Sequence, residues 1–135
     1  MAELSDQAGK FLSSNFYWLS SDGDEKADFT GLADLPQTNI RINVSPVQQK
    51  DGKSRITLTI ENTGQSLAFG LNPKILRLTT KEPVLPVYWD DNYFSLIPGE
   101  KRVINVDSDT KNLKGDKVLL KIEGWNIKPS ETEVK

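Results

Sequence analysis

The chemistry open to this sequence is narrow. Its 135 residues include no cysteine and no histidine, which removes disulfides, thiolate nucleophiles and thiolate metal sites, and with them the commonest general base. Carboxylates, Lys, Tyr, Ser and Thr are left for acid–base or covalent work. The densest group of such residues is Asp90-Asp91-Asn92, bracketed by Trp89 and Tyr93. An aromatic face beside carboxylate and amide groups suits a sugar, and the same five residues could meet a neighbouring domain. A plainer reading stands beside these: Trp89 and Phe94 are core, and the Asp and Asn side chains bond the backbone of their own corner. A buried Trp89 with self-satisfied carboxylates would remove the binding reading.

Other groups are weaker. Asp22-Gly23-Asp24-Glu25 offers oxygen ligands but lacks the alternating spacing and distant bidentate Glu of a calcium loop, so it reads as solvated and no metal or cofactor is expected. Trp18 and Trp125 could form a sugar platform, although tryptophans at two ends of a β-sandwich more commonly serve as core or interface. With 17 basic and 19 acidic residues mixed along the chain, no basic stripe is available for phosphates or an anionic surface, and neither nucleic acid nor membrane is an expected partner. No apolar run reaches the roughly 18 residues of a spanning helix, and Met1 to Lys10 lacks the basic start and apolar centre of a signal peptide.

The elements that must position these residues are strands. Val84 to Glu100, V-L-P-V-Y-W-D-D-N-Y-F-S-L-I-P-G-E, reads as strand, polar corner, strand and tight turn. Pro98-Gly99 suits a type II turn, because proline presets the first φ and glycine accepts the positive second one. Val103 to Val106 is expected to pair back across that turn. Ile40, Ile42 and Val44 alternate with Arg41 and Asn43, and Ile56, Leu58 and Ile60 with Thr57 and Thr59, around a stretch containing Asp51-Gly52. That is an antiparallel pair with one wet face. Leu67, Phe69 and Leu71 alternate again before Asn72-Pro73 interrupts, where a bulge or strand edge is expected. Val118, Leu120 and Ile122 give a last strand.

Two segments differ. Phe16, Tyr17, Trp18 and Leu19 are apolar on both parities, which fits a strand covered on both faces or one that docks on a neighbouring domain. Ser21 to Asn39 is irregular, with Phe29, Leu32 and Leu35 as anchors and a short helical turn at Leu32 to Leu35. Residues 1–9 read as a linker or leading end, 10–127 as the folded domain, and 128–135 as a tail without a core pattern. Short strands, turn signals about every ten residues and no amphipathic helix together indicate an all-β antiparallel sandwich of about seven to nine strands, immunoglobulin-like in architecture and without a disulfide.

Four strings in order are specific enough to carry a resemblance: N-F-Y-W-L-S at Asn15 to Ser20, A-D-F-T-G-L-A-D-L-P at Ala27 to Pro36, the Val84 to Glu100 stretch, and I-E-G-W-N at Ile122 to Asn126. Over Phe11 to Asn126 the chain resembles the C-terminal immunoglobulin-like domain of glycoside hydrolase family 2 enzymes, in the branch of exo-β-D-glucosaminidases and β-mannosidases. The resemblance implies an accessory domain that packs on other domains of a periplasmic or secreted parent and borders its active-site approach. It also implies that the catalytic glutamates lie on a barrel domain elsewhere in the parent. No spacing here sets two carboxylates about 5 Å apart in a cleft, so no catalytic residue is assigned. The rival reading is a self-sufficient carbohydrate-binding or adhesion module.

Overall fold

The computed structural model describes residues 2–15, 19 and 23–135. The chain divides into two compact units, one ending at Leu35 and one beginning at Pro36. In the first unit Ala2–Ser5 (β1) pairs antiparallel with Phe11–Asn15 (β2). The turn between them is organised by Asp6, whose Oδ1 accepts the backbone N–H of both Ala8 and Lys10 at 2.9 Å. The linker expected over 1–9 is therefore corrected, over the described residues 2–9, to a strand and turn. An aspartate side chain mimicking a backbone carbonyl supplies the reversal that hydrophobic alternation did not show. Two 3-10 turns follow, Asp24–Lys26 and Thr30–Asp34. Leu32 and Leu35 are half-buried, whereas Phe29, expected to be an anchor, is exposed.

The second unit is a sandwich of two antiparallel sheets. Its strands are Ile40–Val44 (β3), Gln48–Lys50 (β4), Lys53–Asn62 (β5), Ala68–Arg77 (β6), Val87–Trp89 (β7), Phe94–Leu96 (β8), Lys101–Asp109 (β9), Val118–Glu123 (β10) and Ser130–Val134 (β11). One sheet runs β11-β10-β6-β8; the other runs β3-β5-β9-β7, with β4 also on β5. Period-two alternation builds the core: Ile56, Leu58 and Ile60 from β5, Ile104 and Val106 from β9, and Val118, Leu120 and Ile122 from β10 point inward onto Leu71, Phe94 and Leu96. Burying each of these side chains contributes roughly 1.5–3 kcal/mol. The expected pairing of Ile40–Val44 with Ile56–Ile60 is present, with Ile42 opposite Ile60.

Two expectations are revised in this unit, and the one at Pro73 is met by a strand edge. The stretch before β9 is not a hairpin arm: β8 pairs with β6, while β9 pairs with β5 and β7. The Pro98-Gly99 turn therefore carries the chain from one sheet to the other. It has the expected form, with Gly99 at φ +80° and the Glu100 N–H donating to the Ile97 carbonyl at 3.0 Å. Its anchors are nonlocal, since the Gly99 N–H donates to Asn62 O and the Asn62 N–H donates to Glu100 O. Pro73 lies within β6, opposite Ile122, beyond the last β6–β8 pair at Leu71 and Phe94. There β6 has a strand ladder on one side only, which spares the missing N–H. The bulge falls earlier, between Ala68 and Leu71. Finally, the 128–135 segment is not a loose tail: Ser130–Val134 pairs along all of β10's first five residues, with Val134 buried against Val118's strand. A single inward apolar residue gave it no readable alternation.

Two buried asparagines fix the start of this unit. Asn126 Nδ2 donates to Pro36 O and Leu67 O, both at 2.7 Å, and its Oδ1 accepts the Phe69 N–H at 2.9 Å. Its own carbonyl accepts the Thr38 N–H at 2.9 Å. Asn62 Nδ2 donates to Ser66 O and Leu96 O, and its Oδ1 accepts from Thr38 Oγ1 and the Gly64 N–H. Each amide satisfies several backbone groups at once, which is why polar side chains are retained at these buried positions.

Candidate functional site

The corner between β7 and β8 is held by its own carboxylates and amide. Asp90 Oδ2 accepts both the backbone N–H and the Nδ2 of Asn105, at 3.0 and 2.7 Å, and the Asp90 N–H returns a bond to Asn105 O at 3.1 Å. Asp91 Oδ1 accepts the Asn92 N–H at 2.8 Å, and its Oδ2 takes Arg102 Nη1 at 2.8 Å. Asn92 Oδ1 accepts the Tyr93 N–H at 2.9 Å, which supports the left-handed φ of +55° at Tyr93. Arg102 continues the network: it bonds Glu100 Oε1 at 3.2 Å and stacks its guanidinium 5.1 Å from the centre of the Phe94 ring.

The five corner residues are thus brought together, with different surroundings. Trp89 is half-buried and packs against the core; Asp90 is exposed; Asp91 and Asn92 are half-buried; Tyr93 is 72% exposed. Asp90 Oδ2, both Asp91 oxygens and Asn92 Oδ1 are engaged by Asn105, Arg102 and the corner backbone, and the Tyr93 ring faces outward. Of the Phe16, Tyr17, Trp18 and Leu19 segment, the first three lie outside the described residues, and Leu19 is 81% exposed. Trp125, for which a core role was one reading, is 63% exposed and meets Phe69 edge to face, with ring centres 6.3 Å apart.

A feature that sequence reasoning did not find lies on the outer face of the five-stranded sheet. A groove of about 520 Å³ is lined by Gln48, Lys50, Lys53, Arg55, Tyr88, Asp107 and Ser108. Arg55 makes a two-pronged pair with Asp107, Nε and Nη2 to the two carboxylate oxygens at 2.7 Å each. That guanidinium holds the Asp107 carboxyl below the usual carboxylate range. Lys53 pairs with Asp109, whose hydrogen bond and charge raise the lysine's pKa. Strand parity alone would have put Arg55 and Asp107 on the wet face, but their adjacency requires the β5–β9 register, which the sequence does not display.

On the opposite sheet Glu123 lies between Lys121, at 2.6 Å, and Lys74, and these two ammonium groups lower its pKa to about 2. Among the described residues no cluster of three or more acidic side chains is arranged to hold a metal ion. No helix among them is long and apolar enough to cross a membrane, which leaves strand-built crossing unaddressed.

Comparison with known proteins gives this arrangement a context. Residues 15–127 match the family described as the exo-β-D-glucosaminidase Ig-fold domain. The chain is 36% identical to an exo-β-D-glucosaminidase from Amycolatopsis orientalis, over 91% of this chain and 14% of that protein. It is 34% identical to one from Streptomyces avermitilis, over 91% of this chain and 15% of the relative. The crystal structure of the Amycolatopsis orientalis exo-chitosanase CsxA superposes with a TM-score of 0.85 at 32% identity, covering 98% of this chain and 18% of that one. The chain thus spans about a seventh of the relatives it matches, the share of one accessory domain. The match over 15–127 covers most of the sequence, and the chain belongs to the Ig-fold domain family of exo-β-D-glucosaminidases.

Proposed function

We propose that this chain serves as the accessory Ig-fold domain of an exo-β-D-glucosaminidase, where it packs against the other domains and borders the approach to an active site they carry. The observation behind this reading is the disparity in coverage: nearly all of this chain aligns with about a seventh of each relative. Between the two parent activities suggested by resemblance, exo-β-D-glucosaminidase is preferred to β-mannosidase because the matched family and relatives carry that description. Its partners are other domains of the same parent. The corner from Trp89 to Tyr93 serves as an interdomain contact, because its carboxylates hold the corner's own shape through Asn105 and Arg102 while the Tyr93 ring faces outward. Exposed Leu19 contributes to a second contact with the Phe16 to Leu19 segment.

The test has two parts. The isolated chain is assayed on p-nitrophenyl β-D-glucosaminide, with no turnover expected. The parent enzyme carrying Tyr93→Ala is then compared with wild type, and a lowered unfolding temperature with unchanged stability of the isolated domain is expected. Turnover by the isolated chain, or a parent indifferent to Tyr93→Ala, would overturn the corresponding part of this reading.

A further inference from the structure

The groove on the outer face of the five-stranded sheet has an order that its lining alone does not convey. Gln48 is opposite Arg55, Arg55 opposite Asp107 and Asp107 opposite Tyr88, so one transverse row crosses β4, β5, β9 and β7. The next row carries Lys50, Lys53 and Asp109. Side chains directly opposite on antiparallel strands lie about 5 Å apart, so the three intervals of the first row span about 15 Å, about the length of three linked pyranoses. Tyr88, on the edge strand, is 67% exposed and stands as an apolar wall at one end.

The polar groups retain bonding capacity. Arg55 spends its Nε–H and one Nη2–H on Asp107 and keeps its other donors; each Asp107 oxygen, having accepted one bond, keeps a lone pair. Gln48 adds an amide that can donate and accept. Such a planar, two-sided array matches vicinal hydroxyls, while the tyrosine face matches the C–H face of a pyranose ring. Charge then selects the sugar. Lys50, Lys53 and Arg55 face Asp107 and Asp109, and Lys50 has no ion-pair partner among the described residues. The surplus is positive, which repels a glucosamine ammonium and attracts a carboxylate.

We propose that this groove binds a short anionic oligosaccharide of the hexuronate class, one ring on Tyr88, hydroxyls of the residues that follow on the Arg55–Asp107 pair and Gln48, and a carboxylate beside Lys50 and Lys53. The site is independent of whether the parent is a glucosaminidase.

The 135-residue chain is titrated with galacturonate trimer, glucosamine trimer and a glutamate-rich tetrapeptide, with amide chemical shifts as the readout. Galacturonate trimer is expected to give saturable shifts at β4, β5, β7 and β9, with a Kd on the order of millimolar, weakening with added salt. Tyr88→Ala is expected to weaken it at least tenfold, and Lys50→Gln, at the exposed end of β4, several-fold. Glucosamine trimer and the peptide are expected to give no saturable response. The proposal fails if galacturonate trimer shifts nothing on these strands, if glucosamine trimer or the peptide binds as well, or if Lys50→Gln and a folded Tyr88→Ala bind like wild type.

Discussion

Removing the Asn126 side chain is the sharpest single perturbation this fold offers. The residue is 1% exposed, and its amide serves three backbone groups: the carbonyls of Pro36 and Leu67 and the N–H of Phe69. Asn126→Ala orphans all three and leaves a small cavity beside Leu67. A buried group left without its partner costs about 1–3 kcal/mol, but Pro36, Leu67 and Phe69 are themselves exposed or half-buried, so water can recover part of that loss. A net cost of about 3 kcal/mol follows at the lower end of that range. For a domain of this size it corresponds to a fall in Tm of about 10–15 °C. Thermal and urea unfolding followed by near-ultraviolet circular dichroism measure it. Asn126→Asp separates shape from donation: it keeps the volume and the acceptor toward Phe69 but turns an oxygen toward two carbonyls. It is expected to cost at least as much as alanine at pH 7, and less near pH 3, where a protonated carboxyl donates one bond. Stability of Asn126→Ala within 1 kcal/mol of wild type, or of Asn126→Asp equal to it at pH 7, would refute the account of the amide as the clasp of Pro36, Leu67 and Phe69.

Three further outcomes are expected. Gly64→Ala places a methyl 2.0 Å from Thr38 Oγ1 and 2.9 Å from the Asn39 nitrogen, which displaces the Thr38–Asn62 bond; a loss of about 3 kcal/mol is expected in urea unfolding. Arg102→Ala breaks the pairs with Asp91 and Glu100 and uncovers the Phe94 ring; about 2 kcal/mol is expected, and an unchanged midpoint would show the network to be ornamental. Glu123, with a folded-state pKa of about 2 against 4.5, contributes stability that is fully present above pH 4.5 and is lost as pH falls toward 2. Glu123→Gln should therefore be less stable than wild type at pH 7 and converge with it near pH 2, as read from parallel urea titrations.

The parts of this fold that were legible are those where one face is wet. In β3 and β5 the apolar residues recur at every second position, and Ile42 and Leu58 point inward as that parity requires. The type II turn at Pro98-Gly99 was legible because only glycine accepts its second φ. Partner choice was not. Nothing local says that Val103–Val106 lies on β5 rather than β8, because either strand would bury Ile104 equally well. β11 was missed for a related reason: S-E-T-E-V buries only its final valine, and the backbone ladder to β10 fixes it. At the corner, the tendency of Asp and Asn to bond their own backbone was readable, and Asp91 to Asn92 and Asn92 to Tyr93 follow it. The bonds that commit Asp90 and Asp91 come from Asn105 and Arg102, whose proximity depends on strand order. The groove row is the extreme case, assembled from residues as far apart as Gln48 and Asp107.

The passage from β7 to β8 also bears on how this domain behaves at high concentration. β7 and β8 each close one edge of a different sheet, each is three residues long, and they are joined by a kinked corner with Pro86 before the first and Pro98 after the second. A foreign strand seeking a template on this flank finds at most three residues of open ladder before it meets a proline or the left-handed backbone of Tyr93. Long, flat edges recruit other chains, whereas short, interrupted ones do not. The aromatic-rich segment that first suggests a ligand site thereby blunts two sheet edges at once against aggregation.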